Sequence, residues 1–340
     1  MAAEGAQLLC HVSELAHIGP WEAIGHLWRY YATYRLLLTV AREYRPAVAL
    51  LLDFPEFNLR LAKDLKRAGI SVVYYISPQL WAWRRGRIRT VQKYVDRMLV
   101  ILPFEEEFYR KYGVTVEFVG HPILEEFAPK YDRETFLRGL GLDPGRRTLA
   151  LLPGSRRKEI DHLLPDFLRA ARMIVTRTSG QCVVSVAPTV RLEQVEEIAR
   201  KILGRDWRSL PCRLVQADSR DVLANADFGI VKSGTSTLEA ALVGTPFLIA
   251  YKLSQASWIL GNKLVHTPFV GLVNLIAGEK IVPEFVQSQA TPEALASAAL
   301  EYLEMPEKAA TMRIQLGEIR TMLSARRATE SVAAVVNSYL

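Results

Sequence analysis

The chain holds only three cysteines in 340 residues, Cys10, Cys182 and Cys212, far apart and without a C-x-x-C pair. Neither a zinc knuckle nor a disulfide framework is supported, and a reducing compartment with the thiols as core filler is expected. The six histidines form no H-x-x-x-H or H-E-x-x-H pattern. A metal site would have to be gathered from distant parts of the chain, so no metal and no other cofactor is expected. No window has the roughly 18 uninterrupted apolar residues of a membrane-spanning helix. The N-terminus lacks a cationic segment followed by an apolar run and a small-residue cleavage site, so export is not expected. A P-loop pattern, low-complexity segments and short repeats are also missing.

What is present is a globular composition, 50% apolar and 23% charged, with a net charge of +7. The length suits about two domains. The positive balance favours an anionic partner: nucleic acid, an anionic membrane surface or a phosphorylated substrate.

From Pro20 to Glu43, Trp21, Ile24, Leu27, Trp28, Tyr31, Tyr34, Leu38 and Ala41 recur at helical spacing, which predicts an amphipathic helix ended by Pro46. Apolar runs at Val48–Leu52, Ser71–Ile76, Arg97–Leu102 and Val116–Val119 then alternate with helical segments. This pattern predicts a parallel sheet covered on both faces. Pro122 to Arg147, rich in proline and glycine, reads as the seam. The alternation restarts at Leu149–Leu152 and continues through Val183–Val186, Arg213–Val215, Phe228–Ile230 and Phe247–Ala250. The predicted class is α/β, with two doubly wound, Rossmann-like domains facing a cleft and ligands at the carboxyl ends of the strands.

Leu151-Leu-Pro-Gly-Ser-Arg156 breaks a strand and opens a helix, so its backbone N–H groups, the helix dipole and Arg156 could receive a phosphate. A helix cap with solvated cations is the competing reading. Lys232-Ser-Gly-Thr-Ser-Thr-Leu-Glu239 repeats the arrangement, and Glu239 could accept from a ribose diol or be a simple capping residue. Asp53, at a strand end, is a general base or a turn residue. Trp81, Trp83, Arg84 and Arg85 would suit an amphipathic headgroup or sugar phosphate, with base stacking and a plain core-and-surface role as alternatives. His121 falls in a turn at the seam. Asn274 is the one amide in the apolar loop Val270–Gly278 and needs partners, from protein or substrate.

Taken in order, Asp53-Phe-Pro-Glu-Phe-Asn58, Ser77-Pro-Gln-Leu-Trp-Ala-Trp-Arg84, Leu102-Pro-Phe-Glu105, Phe118-Val-Gly-His-Pro122, Leu151–Arg156, Ser233–Glu239 and Asn274-Leu-Ile-Ala-Gly278 resemble the lipid-A-disaccharide synthases over nearly the whole chain. The resemblance implies the GT-B fold and an inverting, metal-independent glycosyltransferase. Its donor would be UDP-2,3-diacylglucosamine and its acceptor 2,3-diacylglucosamine 1-phosphate (lipid X). The β-1,6 disaccharide and UDP would be formed at the cytoplasmic face of a Gram-negative inner membrane.

By that resemblance residues 1–144 form the acceptor and membrane-side domain and 145–340 the UDP-sugar domain, with the final helices packing back on the first. Asp53, Arg156 and Asn274 fall on positions important for activity. Gly154, Ser155, Ser233, Gly234, Thr235, Ser236, Glu239 and His121 would contact donor or nucleotide, and Trp81, Trp83, Arg84 and Arg85 acceptor or membrane. Chain exchange in the family implies a homodimer.

One departure stands out: the family opens with a strand, a Gly-rich turn and a helix, and Met1–Gly5 resembles the segment after that unit. The N-terminal domain is therefore expected to be incomplete, with a gap or an unpaired edge, either from an internal start codon or as a degraded copy. Alternatives are another UDP-sugar transferase or epimerase, and a non-catalytic UDP- or membrane-binding remnant. Nucleic-acid binding is not expected; steeply salt-dependent oligonucleotide affinity would revive it.

Overall fold

A computed structural model of the chain describes residues 5, 7–10, 23–125, 127–204, 207, 211–254, 258 and 267–340, with side chains of the first helix from residue 28 onward. Two compact units emerge: Met1–Pro122 with Arg326–Leu340, and Ile123–Ala325. The division falls at the first residue of the expected seam rather than at 144/145. The reason is polar. Lys130 and Tyr131 donate backbone N–H groups to the Asp221 carboxylate, and the Arg133 guanidinium reaches the Asn225 carbonyl at 2.8 Å and Asp227 at 2.9 Å. These bonds make 123–144 part of the second unit.

The first unit runs α1 (Ala23–Tyr44), β1 (Val48–Leu52), α2 (Pro55–Arg67), β2 (Ser71–Tyr75), α3 (Ile88–Tyr94), β3 (Arg97–Val100), α4 (Pro103–Lys111) and β4 (Val116–Phe118). The expected start of α1 near Pro20 and Trp21, and the Met1–Gly5 segment apart from Gly5, lie outside the described residues. The strands form a parallel sheet in the order β1-β2-β3-β4. Side chains alternate across it, as the two-residue period requires. Leu51, Val72, Tyr74, Met98 and Val100 pack with Phe57, Leu61 and Leu65 of α2, Val91 of α3 and Tyr109 of α4. Val73, Tyr75, Leu99 and Val119 meet Val332 and Val335 of the last helix. Among the described residues β1 is paired on one side, and its Leu50 and Leu52 are 37% and 46% exposed.

The last helix joins this unit through a close backbone approach. A Cβ on Gly120, whose φ is +91°, would meet the Arg326 carbonyl oxygen at 2.1 Å. Arg326 also pairs with Glu117 of β4 at 2.6 Å. Glycine is required there for lack of room as well as for its backbone angle.

The second unit contains α5 (Arg133–Gly139), β5 (Thr148–Leu152), α6 (Arg157–Thr178), β6 (Gln181–Ser185), α7 (Leu192–Leu203), β7 (Cys212–Val215), α8 (Ser219–Ala224), β8 (Phe228–Lys232), α9 (Thr235–Val243), β9 (Phe247–Tyr251), α10 (Leu272–Ala277), β10 (Glu284–Val286), α11 (Pro292–Glu304) and α12 (Pro306–Leu323); α13 (Ala328–Asn337) is the helix that joins the first unit. Its parallel sheet has the order β10-β9-β8-β5-β6-β7. Strand β5 pairs with both β6 and β8, so the chain winds outward in opposite directions from that pair. Such a switch point leaves a crevice beyond the carboxyl ends of the two strands.

Three elements escape the pattern, the first being α5 inside the stretch read as the seam. Strand β10 is short, half-buried and begins with a glutamate, which hides it from an apolar count. Leu272–Ala277, read as an apolar loop, is a short helix stopped by Gly278 at φ +74°.

Candidate active site

The first glycine turn leaves β5 at Leu152. Pro153 and Gly154 interrupt the strand, Arg156 keeps an extended backbone as the N-cap, and α6 follows. Gly154 has φ +120°, and a Cβ there would come within 2.5 Å of a Glu159 carboxylate oxygen. Glu159, at the third position of α6, folds back over the turn. Its Oε2 accepts the N–H groups of Ser155 at 3.1 Å and Arg156 at 3.3 Å. Its Oε1 accepts from the Arg156 guanidinium at 3.3 Å and the Lys232 ammonium at 3.0 Å.

The amides expected to receive a ligand anion are thus taken by the chain's own carboxylate. Burial raises the Glu159 pKa, but Lys232, the Ser155 amide and the Arg156 charge outweigh it and hold the group below its ordinary value. The Arg156 side chain is 81% exposed.

The second turn leaves β8 at Lys232. Ser233 is buried and donates its hydroxyl to the Val270 carbonyl at 2.6 Å. Gly234 is the N-cap of α9, Thr235 is exposed and Ser236 half-buried in the first turn. Glu239 lies deeper, where Ser219 Oγ donates to its Oε2 at 2.8 Å. Burial raises its pKa and the Asp218 charge adds to this, against the Ser219 bond.

Between the two turns lies a cavity of about 450 Å³. Gly154, Ser155, Ser236 and Glu239 line it, joined by Ser185, Gln216 and Ser219; Arg156, Ser233, Gly234 and Thr235 belong to the turns beside it but not to its lining. Ser185 is the last residue of β6, and Gln216 and Ser219 follow β7, so all three lie at strand ends of the kind that mark the glycine turns, although none is among the site residues expected from the sequence.

Asn274 is fully buried in α10 and is spent on protein partners. Its Nδ2 donates to the Val282 carbonyl and to Glu284 Oε1, both at 2.8 Å, and its Oδ1 accepts the Val282 N–H at 2.9 Å. Glu284 in turn accepts the N–H groups of Val270 and Gly271, each at 2.9 Å. The chain Asn274, Glu284, Val270, Ser233 therefore supports the second glycine turn from behind. Both Asn274 N–H donors and one acceptor position of its oxygen are thus spent on protein partners, the protein side of the two alternatives the sequence left open.

In the first unit Asp53 ends β1 with φ +42° and an exposed carboxylate. Its carbonyl accepts from Asn58 Nδ2 at 2.8 Å and from the Tyr74 hydroxyl at 2.5 Å, which fixes the turn and leaves the acid to solvent. His121 is buried, and burial lowers its pKa to about 4, so the ring is neutral at physiological pH.

Trp83 is exposed under the Arg84 guanidinium, which sits 4.4 Å from its ring centre, and Arg84 and Arg87 both pair with Glu56. Arg85 is exposed beside them. Trp81, expected at the same surface, is buried: it packs edge-on against Phe104 and donates its indole N–H to Glu105 at 2.9 Å. Glu105 is buried and also accepts from Ser77 at 2.7 Å and the Leu102 N–H at 3.1 Å. Burial pushes its pKa up to about 7 against those bonds. Proline at the first helical position and glutamate two residues on were the readable sign of a cap.

Among the described residues no group of three or more His, Cys, Asp or Glu side chains could hold a metal ion, and no helix is long and apolar enough to cross a membrane.

Comparison with known proteins bears on this arrangement. The model of the family described as lipid-A-disaccharide synthetase matches residues 1–336. The lipid-A-disaccharide synthase of Myxococcus xanthus is 41% identical over 340 residues, covering 98% of this chain and 86% of that one. The Anaeromyxobacter enzyme of the same name is 42% identical, covering 98% and 85%. Among solved structures, the UDP-GlcNAc 2-epimerase of Neisseria meningitidis, bound to UDP-GlcNAc, aligns with a TM-score of 0.63 at 10% identity over 94% of this chain and 84% of that one. Anabaena HepE, in complex with UDP and glucose, gives 0.54 at 15% identity over 90% and 81%. The structural neighbours share the two-domain GT-B fold, and the near full-length family match decides the rest: the chain belongs to the lipid-A-disaccharide synthase family, glycosyltransferases of lipid A biosynthesis.

Proposed function

We propose that the chain condenses UDP-2,3-diacylglucosamine with lipid X to give the β-1,6-linked disaccharide 1-phosphate and UDP. The observation that carries this reading is the cavity at the β5/β8 switch point, flanked by two glycine turns and the N-terminus of α9. The donor's diphosphate lies there, with Arg156 and the Gly234–Ser236 amides stabilising the negative charge that grows on the leaving UDP. Glu239 accepts from the ribose diol. Asp53 takes the proton as the acceptor 6-hydroxyl attacks the anomeric carbon from the face opposite the leaving group, which inverts the centre. No step calls for a metal.

The outer face of α1 supports membrane attachment. Trp28 is 73% exposed, Tyr31 and Leu36 are exposed beside it, and Arg29, Arg35 and Arg42 are exposed on the same helix. An aromatic and cationic face of this kind suits the boundary of an anionic bilayer, here the cytoplasmic face of the inner membrane. Trp83 and Arg84 add a second such surface.

Disaccharide formation in detergent tests the proposal. Product is expected from this chain, with Asp53→Asn slowed by about 10²-fold or more and Arg156→Ala by about 10². Near-normal turnover in Asp53→Asn would remove that residue as the base. UDP binding without product would favour the binding-protein alternative.

A further inference from the structure

Lys232, the last residue of β8, reaches from the second glycine turn to the first. Its ammonium pairs with Glu159 Oε1 at 3.0 Å, and both side chains are largely withdrawn from water. The same ammonium stands 3.5 Å from the place a Cβ on Gly234 would occupy. The cation therefore lies within van der Waals range of the N-cap of α9. On the other side, the Glu159 carboxylate gathers two backbone amides, one guanidinium and this ammonium. That set of donors is what a phosphate group takes at a strand-to-helix turn.

A half-buried ammonium without a counter-ion is costly, so the ligand-free site must supply an anion of its own. Glu159 does so from the first turn of α6, on a side chain with rotatable bonds and a route to solvent. A diphosphate carries more charge than a carboxylate and can engage both turns at once.

We propose that Lys232 is a further phosphate-binding residue of the donor site, and that Glu159 is the resident anion which the donor's phosphate displaces. The proposal rests on the reading that UDP binds at the β5/β8 edge. Lys232 stays paired in both states, and the exchange moves Glu159 outward as the ligand enters.

Calorimetric titration of the full chain with UDP tests it, with thermal unfolding as a control for folding. Lys232→Met is expected to weaken UDP binding about tenfold and to leave the affinity for uridine, which has no phosphate, unchanged. Glu159→Gln keeps the shape and one acceptor oxygen but frees the ammonium; UDP should bind several-fold more tightly. The double variant should match Lys232→Met. The proposal falls if Lys232→Met binds UDP like the parent, or if Glu159→Gln binds it more weakly with an unchanged unfolding midpoint, the result of a purely structural tether. Should Lys232→Met not fold, the Glu159→Gln outcome decides alone. Failure of the parent chain to bind UDP would overturn the donor-site reading itself; binding indifferent to Lys232 would overturn this inference only.

Discussion

Glu105 in the first unit and Glu159 in the second are built from the same local plan and have opposite electrostatics. Each follows a strand and a Leu-Pro step, sits at the third position of a helix and folds back onto the N-cap amide. Around Glu105 the partners are neutral: a hydroxyl, an indole and a backbone N–H, in full burial. These bonds offset desolvation only in part, and burial pushes the carboxyl up to about 7. Around Glu159 the partners include Lys232 and Arg156, and the charged form is favoured. A cap motif sets the geometry, while the protonation state is set by which cations the tertiary fold brings alongside.

That contrast can be broken most forcefully at Glu105. Replacing it with alanine strands three buried donors, and a loss of about 4 kcal/mol in unfolding free energy is expected, measured in urea by tryptophan fluorescence.

A pH series sharpens the comparison. Glu105 rises from 4.5 to about 7, so between those values it holds more protons folded than unfolded and its contribution to stability declines as pH rises. His121 falls from 6.5 to about 4, holds fewer protons folded, and its contribution grows over that range. The two slopes, each about 1.4 kcal/mol per pH unit, nearly cancel between 4.5 and 6.5. Glu105→Gln removes one of them. Its stability relative to the parent should therefore climb by up to about 3 kcal/mol from pH 4.5 to 7; a difference independent of pH would count against the raised carboxyl.

Glu159→Ala should be milder, about 2 kcal/mol: the Lys232 ammonium loses its counter-ion, but the amides lie at an accessible edge where water can replace the carboxylate. Arg84→Ala, which removes one arm of the exposed Glu56 pair, should change stability by no more than about 0.5 kcal/mol. A larger loss would mean that the Trp83 and Arg84 surface is part of the folded framework.

Most of the fold was legible because parallel strands buried on both faces announce themselves as apolar runs. The strands from β1 to β9 fall within a residue or two of the expected runs, whereas β10 does not carry the pattern. The glycine turns were legible for a related reason: Gly-Ser at a strand end has few uses other than letting backbone amides approach something. What they approach was not legible. The spacing of Arg156 and Glu159 is a helix spacing in any fold, and the partnership with Lys232, 73 residues away in sequence, exists only once β5 and β8 lie side by side. Asn274 stands out because a lone amide in an apolar stretch must be satisfied, yet of its partners Glu284 opens a strand that the pattern missed and Val282 lies just before it. Trp81 and Trp83 are separated by one residue and read alike; the loop turns one onto Glu105 and the other to water.

By itself the sequence determined the α/β class, the strand and turn positions and the family, since each depends on residues close along the chain or on motifs kept in order. The tertiary structure decided which charges meet. Glu159 became the anion of its own turn, Glu105 a buried acceptor whose carboxyl is pushed up to about 7, and Asn274 a support behind Ser233, because Coulomb and hydrogen-bond energies act over a few ångströms of space and sequence distance carries no record of them.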